Sequence, residues 1–549
     1  MSSTTPAPRQ APSLARSSML MASGSMVSRV LGLVRNMLMA YVIGTALAAD
    51  AFNVANTVPN YIYLLLSAGL LNAILVPQIT KAMKQHADGG QEFVDRLLTA
   101  CFGMLALATA VATVASPLLL RIFAASLSGR SYDLALLFAY VCVPQLFFYG
   151  INAVLGQVLN ARDQFAAFMW SPVLANVVQI IGMGVFVLVY HRQPDPAAWT
   201  QPMVWLFGGA YTLGVAAQGL VLFIPLLRGG FHYRPKLGLR GYGLRAASKM
   251  AGWAFAALVV SQIGGIAATQ VMFAVRANHP DVPGLTTQQL AFMMFMLPHG
   301  LITTSIITAL FPRMSRAAND QDVPELRRNL VQGLTLPAVA IIPATFALVV
   351  LAVPTVGAMF PGQPLGVVRD IALVTAIMSI GLLAFGITTL QQRFYFAVED
   401  GRTNLQLQVL LTGVQIVVCL VALVGTPHYA VAIVAFAQTL ANTVAALAFV
   451  ANAHRRVGGL SLYHVTRLYV RLAIASVGGA VVAGILAHVL YGFLAPRWIV
   501  HVLVLAVAGT GFLLCFVALA RVFRITEVDD LLSPLVRRLR RRSPAAPDA

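Results

Sequence analysis

Along most of the chain, long apolar stretches alternate with short polar ones. A transmembrane helix takes roughly 20 mostly apolar residues. Stretches of that kind lie near 19–44, 53–77, 93–116, 133–160, 165–190, 203–227, 246–275, 287–312, 329–353, 371–394, 405–424, 429–452, 468–490 and 498–522. The expected fold class is an all-α polytopic membrane protein of about 14 transmembrane helices. Residues 1–18, rich in Pro, Ser, Ala and Thr, have no apolar periodicity and read as a disordered tail. The first apolar stretch holds Arg29 and Arg35 and no cleavage site, which marks an uncleaved helix rather than a signal peptide.

Composition agrees with this pattern: of 549 residues, 59% are hydrophobic and 10% charged, far from soluble-domain usage. The four cysteines, Cys101, Cys142, Cys419 and Cys515, all lie within apolar runs without metal-like spacing. They read as small hydrophobes, and neither a disulfide nor a metal site is expected. A net charge of +19 raises the question of nucleic acid, so the position of each cation matters. With the N-terminus inside, 29 of the 37 Lys and Arg fall in inner segments. Six fall outside (Arg121, Arg130, Arg192, Arg276, Arg369, Arg497), and Arg29 and Arg35 lie within helix 1. That imbalance is the positive-inside pattern and puts both termini in the cytoplasm. The basic run Val536 to Arg542 follows the last helix closely and fits anionic lipid; no folded basic module accompanies it, so no nucleic-acid partner is expected.

The chain also repeats itself. AILVPQITKA (Ala73–Ala82) matches TALFPRMSRA (Thr308–Ala317), aligning Pro77 with Pro312 at an offset of 235. Gly150-Ile151 matches Gly386-Ile387 at an offset of 236, with Asp163 against Glu399. Six helices per repeat is an even number, so the halves share one orientation, as in parallel-repeat transporters. The expected organisation is the tail 1–18, an N-lobe of helices 1–6 at 19–228, a connector at 229–245 and a C-lobe of helices 7–12 at 246–455. Helices 13–14 at 456–525 and a basic tail at 526–549 complete it.

None of the eighteen acids lies near the middle of an expected helix, so Arg29 and Arg35 have no buried carboxylate in reach. A guanidinium within a membrane segment is costly and marks function, and its planar fork suits phosphate. Six residues apart on a straight helix means about 9 Å along the axis and roughly 120° around it. The two therefore reach different parts of an extended anion, or one site if the helix bends at Gly32. Arg29 near the inner interface also fits a snorkelling role. Asp50 either caps helix 2 or pairs with a cation when an outer gate closes. Pro59 and Pro298 are expected kinks and candidate gating hinges. Polar residues at depth, including Asn152, Asn176, Gln179, Gln270 and Gln391, are expected to hydrogen-bond between helices. The sequence contains no GxSxG, HExxH or P-loop pattern, and no cofactor is expected; a monovalent counter-ion held by neutral oxygens is compatible with this composition.

At Ser28-Arg29-Val30-Leu31-Gly32-Leu33-Val34-Arg35, Ala49-Asp50-Ala51-Phe52 and Pro59-Asn60, the sequence resembles the MurJ/MviN family of lipid II flippases. That family belongs to the multidrug/oligosaccharidyl-lipid/polysaccharide exporter superfamily, and Leu297–Ala317 is similar to it as well. The resemblance, over about 19–525, implies two six-helix lobes plus two helices that form a groove for a lipid tail. It further implies alternating access and transfer of the undecaprenyl-pyrophosphate-linked peptidoglycan precursor to the outer leaflet of the bacterial cytoplasmic membrane. By its motifs Arg29 and Arg35 face the head group, Asn60 joins them as a substrate contact, and Asp50 matches a functional acid. Many members carry further arginines after the Pro-Asn of helix 2 and before the helix 8 proline. This chain has Tyr61, Tyr63, Leu64, Met293 and Met296 there, so its cationic lining is thinner.

The implied activity is transport, not catalysis, with lipid II as substrate and cell-wall synthases as further partners. An exporter of another lipid-linked glycan or of a drug is the alternative, although a cation exporter would bury acids. A membrane glycosyltransferase fits less well, because it needs a catalytic carboxylate in a substantial outer loop.

Overall fold

A computed structural model describes residues 14–67, 91–162, 164–231, 233–236, 238, 249–525 and 527–528, with side chains of the first helix from Ser23 on. Pro77, Asp163, residues 239–248 and the basic run from Val536 lie outside the described residues. Among the described residues there are α-helices and short 3-10 and π turns but no strands. Twelve of the described helices are long and apolar enough to span a membrane, and a thirteenth span arises if Leu365–Ile380 and Leu382–Ala397, bent by 51°, count as one. The protein is thus a multi-pass membrane protein, with twelve or thirteen such spans among the described residues where fourteen are expected over the whole chain. The described part of the second stretch, α2 (Leu47–Leu66), is helical but carries Asp50, Asn53, Asn56 and Asn60, which dilute its apolar character.

Helix ends differ from expectation where polar residues continue a helical turn. The first helix, α1 (Leu14–Ile43), begins inside the stretch assigned to the tail and runs unbroken through Gly32. Stretch 133–160 is two helices, α5 (Gly129–Cys142) and α6 (Gln145–Ala161), parted before Pro144. Proline cannot donate the bond that would continue the first of them.

The repeat extends to details that hydropathy does not carry. The third stretch, α3 (Gln91–Val114), is followed by the eight-residue helix α4 (Ser116–Phe123). The ninth, Val323–Val350, is followed by the eight-residue Ala352–Met359. Residues 116 and 352, and 123 and 359, are 236 apart, as are the starts of α5 and Leu365–Ile380.

The chain packs as two compact units. The first holds the residues up to Ile43, Ala51–Arg121 and Ser128–Ala251. Here α7 (Phe165–Tyr190) and α8 (Gln201–Leu220) join α1, α5 and α6, and the short α9 (Phe223–Arg228) follows. Its core at one end is an aromatic cluster around Phe52, whose ring lies 5.2 Å from Phe138, 4.9 Å from Phe207 and 4.8 Å from Tyr211 in edge-on contacts. At the other end Leu97, Leu98 and Cys101 of α3 pack against Val154, Leu155 and Val158 of α6.

The second unit holds Gly252–Ala549 together with two short segments, Gly44–Asp50 and Ile122–Leu127. The latter is bracketed by Gln270 of α10 (Lys249–Asn278), whose Nε2 donates to Ile122 O at 2.6 Å while its Oε1 accepts from Ala125 N at 2.9 Å. Beyond α10 come α11 (Leu285–Pro298), α12 (Thr304–Asn319), α13 (Val323–Val350), α14 (Ala352–Met359), α15 (Leu365–Ile380), α16 (Leu382–Ala397), α17 (Gly401–Leu420) and α18 (Ala430–Arg456). The last pair, α19 (Leu462–Phe493) and α20 (Trp498–Val522), packs through Leu472, Ala475 and Ala483 against Val504, Ala508 and Phe512. Close approach in lipid depends on small residues. A Cβ at Gly479 would lie 2.9 Å from the backbone oxygen of Phe512, which cannot yield without moving the helix.

Gly479→Ala is therefore expected to destabilise the α19/α20 pair by about 1–3 kcal/mol, read as a lower thermal midpoint of the purified protein. Gly413→Ala, where a Cβ meets nothing within 4 Å, leaves the midpoint unchanged or raises it.

Candidate functional site

Arg35 lies half-buried on α1 of the first unit, and its hydrogen-bond partners among the described residues are polar but uncharged. Its Nη1 donates to Gln179 Oε1 on α7 at 3.0 Å. Its Nε and Nη2 both donate to Asn36 Oδ1, at 3.2 and 3.0 Å. The guanidinium also lies 5.9 Å from the ring centre of Tyr211 on α8. Gln179 is held in turn by donating to Tyr211 O at 3.1 Å, and Asn176, one turn earlier, donates to Ser28 O at 3.0 Å. These bonds fix the cation's direction without cancelling its charge, because amides and rings supply dipoles rather than an anion.

Beside this group runs a second neutral network. Gln145 Nε2 donates to Asn56 Oδ1 and Thr212 Oγ1, both at 3.1 Å, and Gln145 Oε1 accepts from Tyr149 OH at 3.3 Å. Tyr149 stacks obliquely on Tyr63 at 5.7 Å. Arg29 and Asn60 are both exposed, on α1 and α2. Arg29 and Arg35 thus share one unbroken helix, six residues apart, and point to different parts of its circumference.

Asp50 is in a different setting, within the second unit. It is 1% exposed, and it belongs to the first turn of α2, which starts six residues before the expected boundary. The end it caps belongs to another helix. Oδ1 accepts from Thr286 N at 2.7 Å and Thr286 Oγ1 at 2.6 Å, and Oδ2 accepts from Leu285 N at 3.2 Å. These are the free N–H groups at the start of α11, where the helix field favours an anion. Oδ2 also accepts from Arg276 Nη1 at 2.5 Å. Arg276, 5% exposed, directs its other donors to Thr45 O and Pro280 O, each at 3.2 Å. Gly284 makes room for the pair: a Cβ there would sit 2.1 Å from Asp50 Oδ2 and 2.2 Å from Arg276 Nη1. Of the two expected roles of Asp50, pairing with a cation is the one observed, and the capping is of α11 instead of helix 2.

Pro59 is buried inside α2, while Pro298 ends α11 and leads into a π turn at His299–Thr303. Such turns break the regular bond ladder and often accompany function. The structure brings Asp50 to Arg276 and Arg35 to Gln179.

An apolar groove of about 680 Å³ runs between α13 and α20, lined by Val339, Pro343, Ala347, Leu505, Phe512 and Phe516 among others. Of helices 13 and 14, at which the resemblance implies a tail groove, the second (α20) forms one wall of this groove. Among the described residues no cluster of three or more His, Cys, Asp and Glu could hold a metal ion.

Arg276, Thr286, Gly284, Asn36 and Tyr211 were not legible as site residues. Arg276 looked like an ordinary outer-loop cation, and its one distinguishing signal was a charge at the end of a long apolar helix with no nearby acid on that helix.

The comparisons with known proteins bear on this geometry. The family model described as lipid II flippase MurJ matches residues 39–509. A relative in Synechocystis sp., named probable lipid II flippase MurJ, is 26% identical over 86% of this chain and 88% of its own. One in Haemophilus influenzae with the same name is 23% identical over 92% of this chain and all of its own. A solved lipid II flippase MurJ in an inward closed conformation superposes with a TM-score of 0.70 at 18% identity, covering 93% of this chain and 100% of that one. An inward-facing multidrug MATE transporter follows at 0.60 and 16% identity, over 80% of this chain and 98% of that one. Those two likenesses are of fold. The family match spans most of the chain, from the end of α1 to α20, and with it this multi-pass membrane protein belongs to the lipid II flippase MurJ family, a family of transporters rather than enzymes.

Proposed function

We propose that the chain carries lipid II from the inner to the outer leaflet by alternating access, with Arg35 and Arg29 receiving the pyrophosphate. The observation that carries the residue assignment is the neutral cage of Arg35: a directed guanidinium whose partners leave its charge for a ligand. Pyrophosphate offers oxygens at several positions, which suits two cations separated along one helix. Asn60, exposed on α2, is the neutral contact in this reading. The thinner set of arginines concentrates the anion-binding role on these two. The prenyl tail stays apolar, and the groove between α13 and α20 fits it without any polar partner. Outward movement of an anion is favoured by an inside-negative potential, by about 2.3 kcal/mol per charge per 100 mV, so no cofactor enters the proposal.

The cluster of Asp50, Arg276 and Thr286 acts in this proposal as the latch of the outer end, closed here and undone when substrate leaves. Pro59 and Pro298, with the π turn beyond Pro298, supply the bends. Both termini are cytoplasmic in this scheme, the basic tail rests on anionic lipid, and cell-wall synthases receive the delivered precursor.

In cells depleted of their own flippase, Arg29→Ala combined with Arg35→Ala should leave lipid II in the inner leaflet, as measured by a leaflet-specific accessibility assay. Normal flipping by that double variant would remove both residues from the substrate site. For the latch, Asp50→Ala and Arg276→Ala should each slow flipping by about tenfold or more, since either change strands a buried charge. Their combination should be no worse than the single changes, whereas additive losses would show that the two residues do not act together.

A further inference from the structure

The first unit contains a second cavity, of about 590 Å³, between the start of α7 and α9. Gln164, Trp170, Ser171, Leu174, Ile224 and Arg228 are among its lining. Gln164 stands at the N-cap of α7 yet makes no capping bond, and its Oε1 is buried without a hydrogen-bond partner among the described residues. An acceptor left so is costly, by about 1–3 kcal/mol. Ser171 cannot relieve it, because its hydroxyl is committed to Asn152 Oδ1 and Phe168 O. Arg228, the last residue of α9, is exposed and has no ion-pair partner among the described residues.

The internal repeat shows what is missing. Residue 400 is 236 beyond residue 164, and there Asp400 caps α17, accepting from Thr403 N at 3.1 Å and Thr403 Oγ1 at 2.8 Å. It also accepts from Arg456 Nη1 at 2.5 Å, and Arg456 ends the sixth helical segment of its repeat as Arg228 ends the sixth of the other. Burial pushes the Asp400 carboxyl up, but the bonds from Thr403 and Arg456 outweigh it and hold it below the usual range. In the first unit an amide stands where that carboxylate would be, so the matching anion for the cation is absent from this position, and a cavity lies beside both.

We infer that this cavity binds a membrane phospholipid whose phosphodiester replaces the absent carboxylate at Arg228 and whose head group donates a hydrogen bond to Gln164 Oε1. A glycerol hydroxyl or an ethanolamine ammonium supplies that donor; a choline head cannot. Leu174 and Ile224 give the acyl chains an apolar wall, and Trp170, 40% exposed, has the amphipathic character of residues at the membrane interface. Placing the lipid in the inner leaflet rests on the charge-based orientation proposed above.

The test uses the full-length protein purified and exchanged into nanodiscs of phosphatidylglycerol, phosphatidylethanolamine or phosphatidylcholine, with retained lipid read by native mass spectrometry. No lipid II is present, so failure of the flippase reading leaves this test intact. Phosphatidylglycerol and phosphatidylethanolamine should be retained about tenfold over phosphatidylcholine, the scale of one hydrogen bond. Arg228→Gln should lower the retention of all three, because the phosphodiester it holds is common to them. Gln164→Asp, which rebuilds the internal pair seen at Asp400, should abolish the preference while keeping the thermal midpoint. Equal retention of all three lipids by the unaltered protein, or unchanged retention by Arg228→Gln, would overturn the site. Displacement of the lipid by an equal concentration of soluble glycerol phosphate would overturn its assignment to lipid. Arg228 is exposed, so its variant carries the test even if the change at Gln164 disturbs folding.

Discussion

A guanidinium inside an apolar helical bundle must be solvated by something other than water, and this protein meets that constraint in two ways. Arg276 is answered by a carboxylate, Asp50, and by backbone carbonyls, so its charge is cancelled where it lies. Arg35 is answered by an asparagine, a glutamine and a tyrosine ring, so its charge is oriented and retained. The first arrangement is suited to holding chain segments together, since a broken pair would leave two buried charges. The second is suited to receiving an anion, because the donors are already aimed and little entropy remains to be lost on binding. A cancelled cation and a retained one thus arise from one residue type by the choice of its neighbours; the proposed function uses the first as a latch and the second as a receptor.

The repeat gives the same lesson in another place. Short helices α4 and α14, and the breaks within the fourth and tenth stretches, recur at nearly one spacing, so the two units draw on one scaffold. Function diverges through single side chains on that scaffold. Asp400 closes an ion pair at a helix start, and Gln164 at the matching start does not.

Hydropathy carried most of the fold, because a membrane demands apolar length before anything else. The final stretch, 498–522, coincides with α20. Where helices depart from hydropathy, local chemistry prevails: Pro144 divides one stretch, Gly381 bends another by 51°, and polar residues before Met19 extend α1. The arginines of α1 were visible because a charge in an apolar run, with no acid nearby in sequence, stands out. Their neighbours were less so, since a polar residue such as Gln179 looks alike whether it bridges helices or steers a cation. The partnership of Asp50 with Arg276 spans 226 residues and follows no periodicity, so no local pattern could reveal it. Gly284 is intelligible only once that pair is seen beside it.

The most direct test replaces one neutral dipole of the Arg35 cage with a charge of nearly the same shape. Gln179→Glu keeps the contact to Arg35, gives up the bond to Tyr211 O and cancels the cation, converting the proposed receptor into a closed pair of the Arg276 kind. In flippase-depleted cells, a leaflet-specific lipid II assay on this variant should show precursor held in the inner leaflet, with transport down at least about tenfold. Transport at the unaltered rate would mean that the free charge of Arg35 is not what binds the substrate.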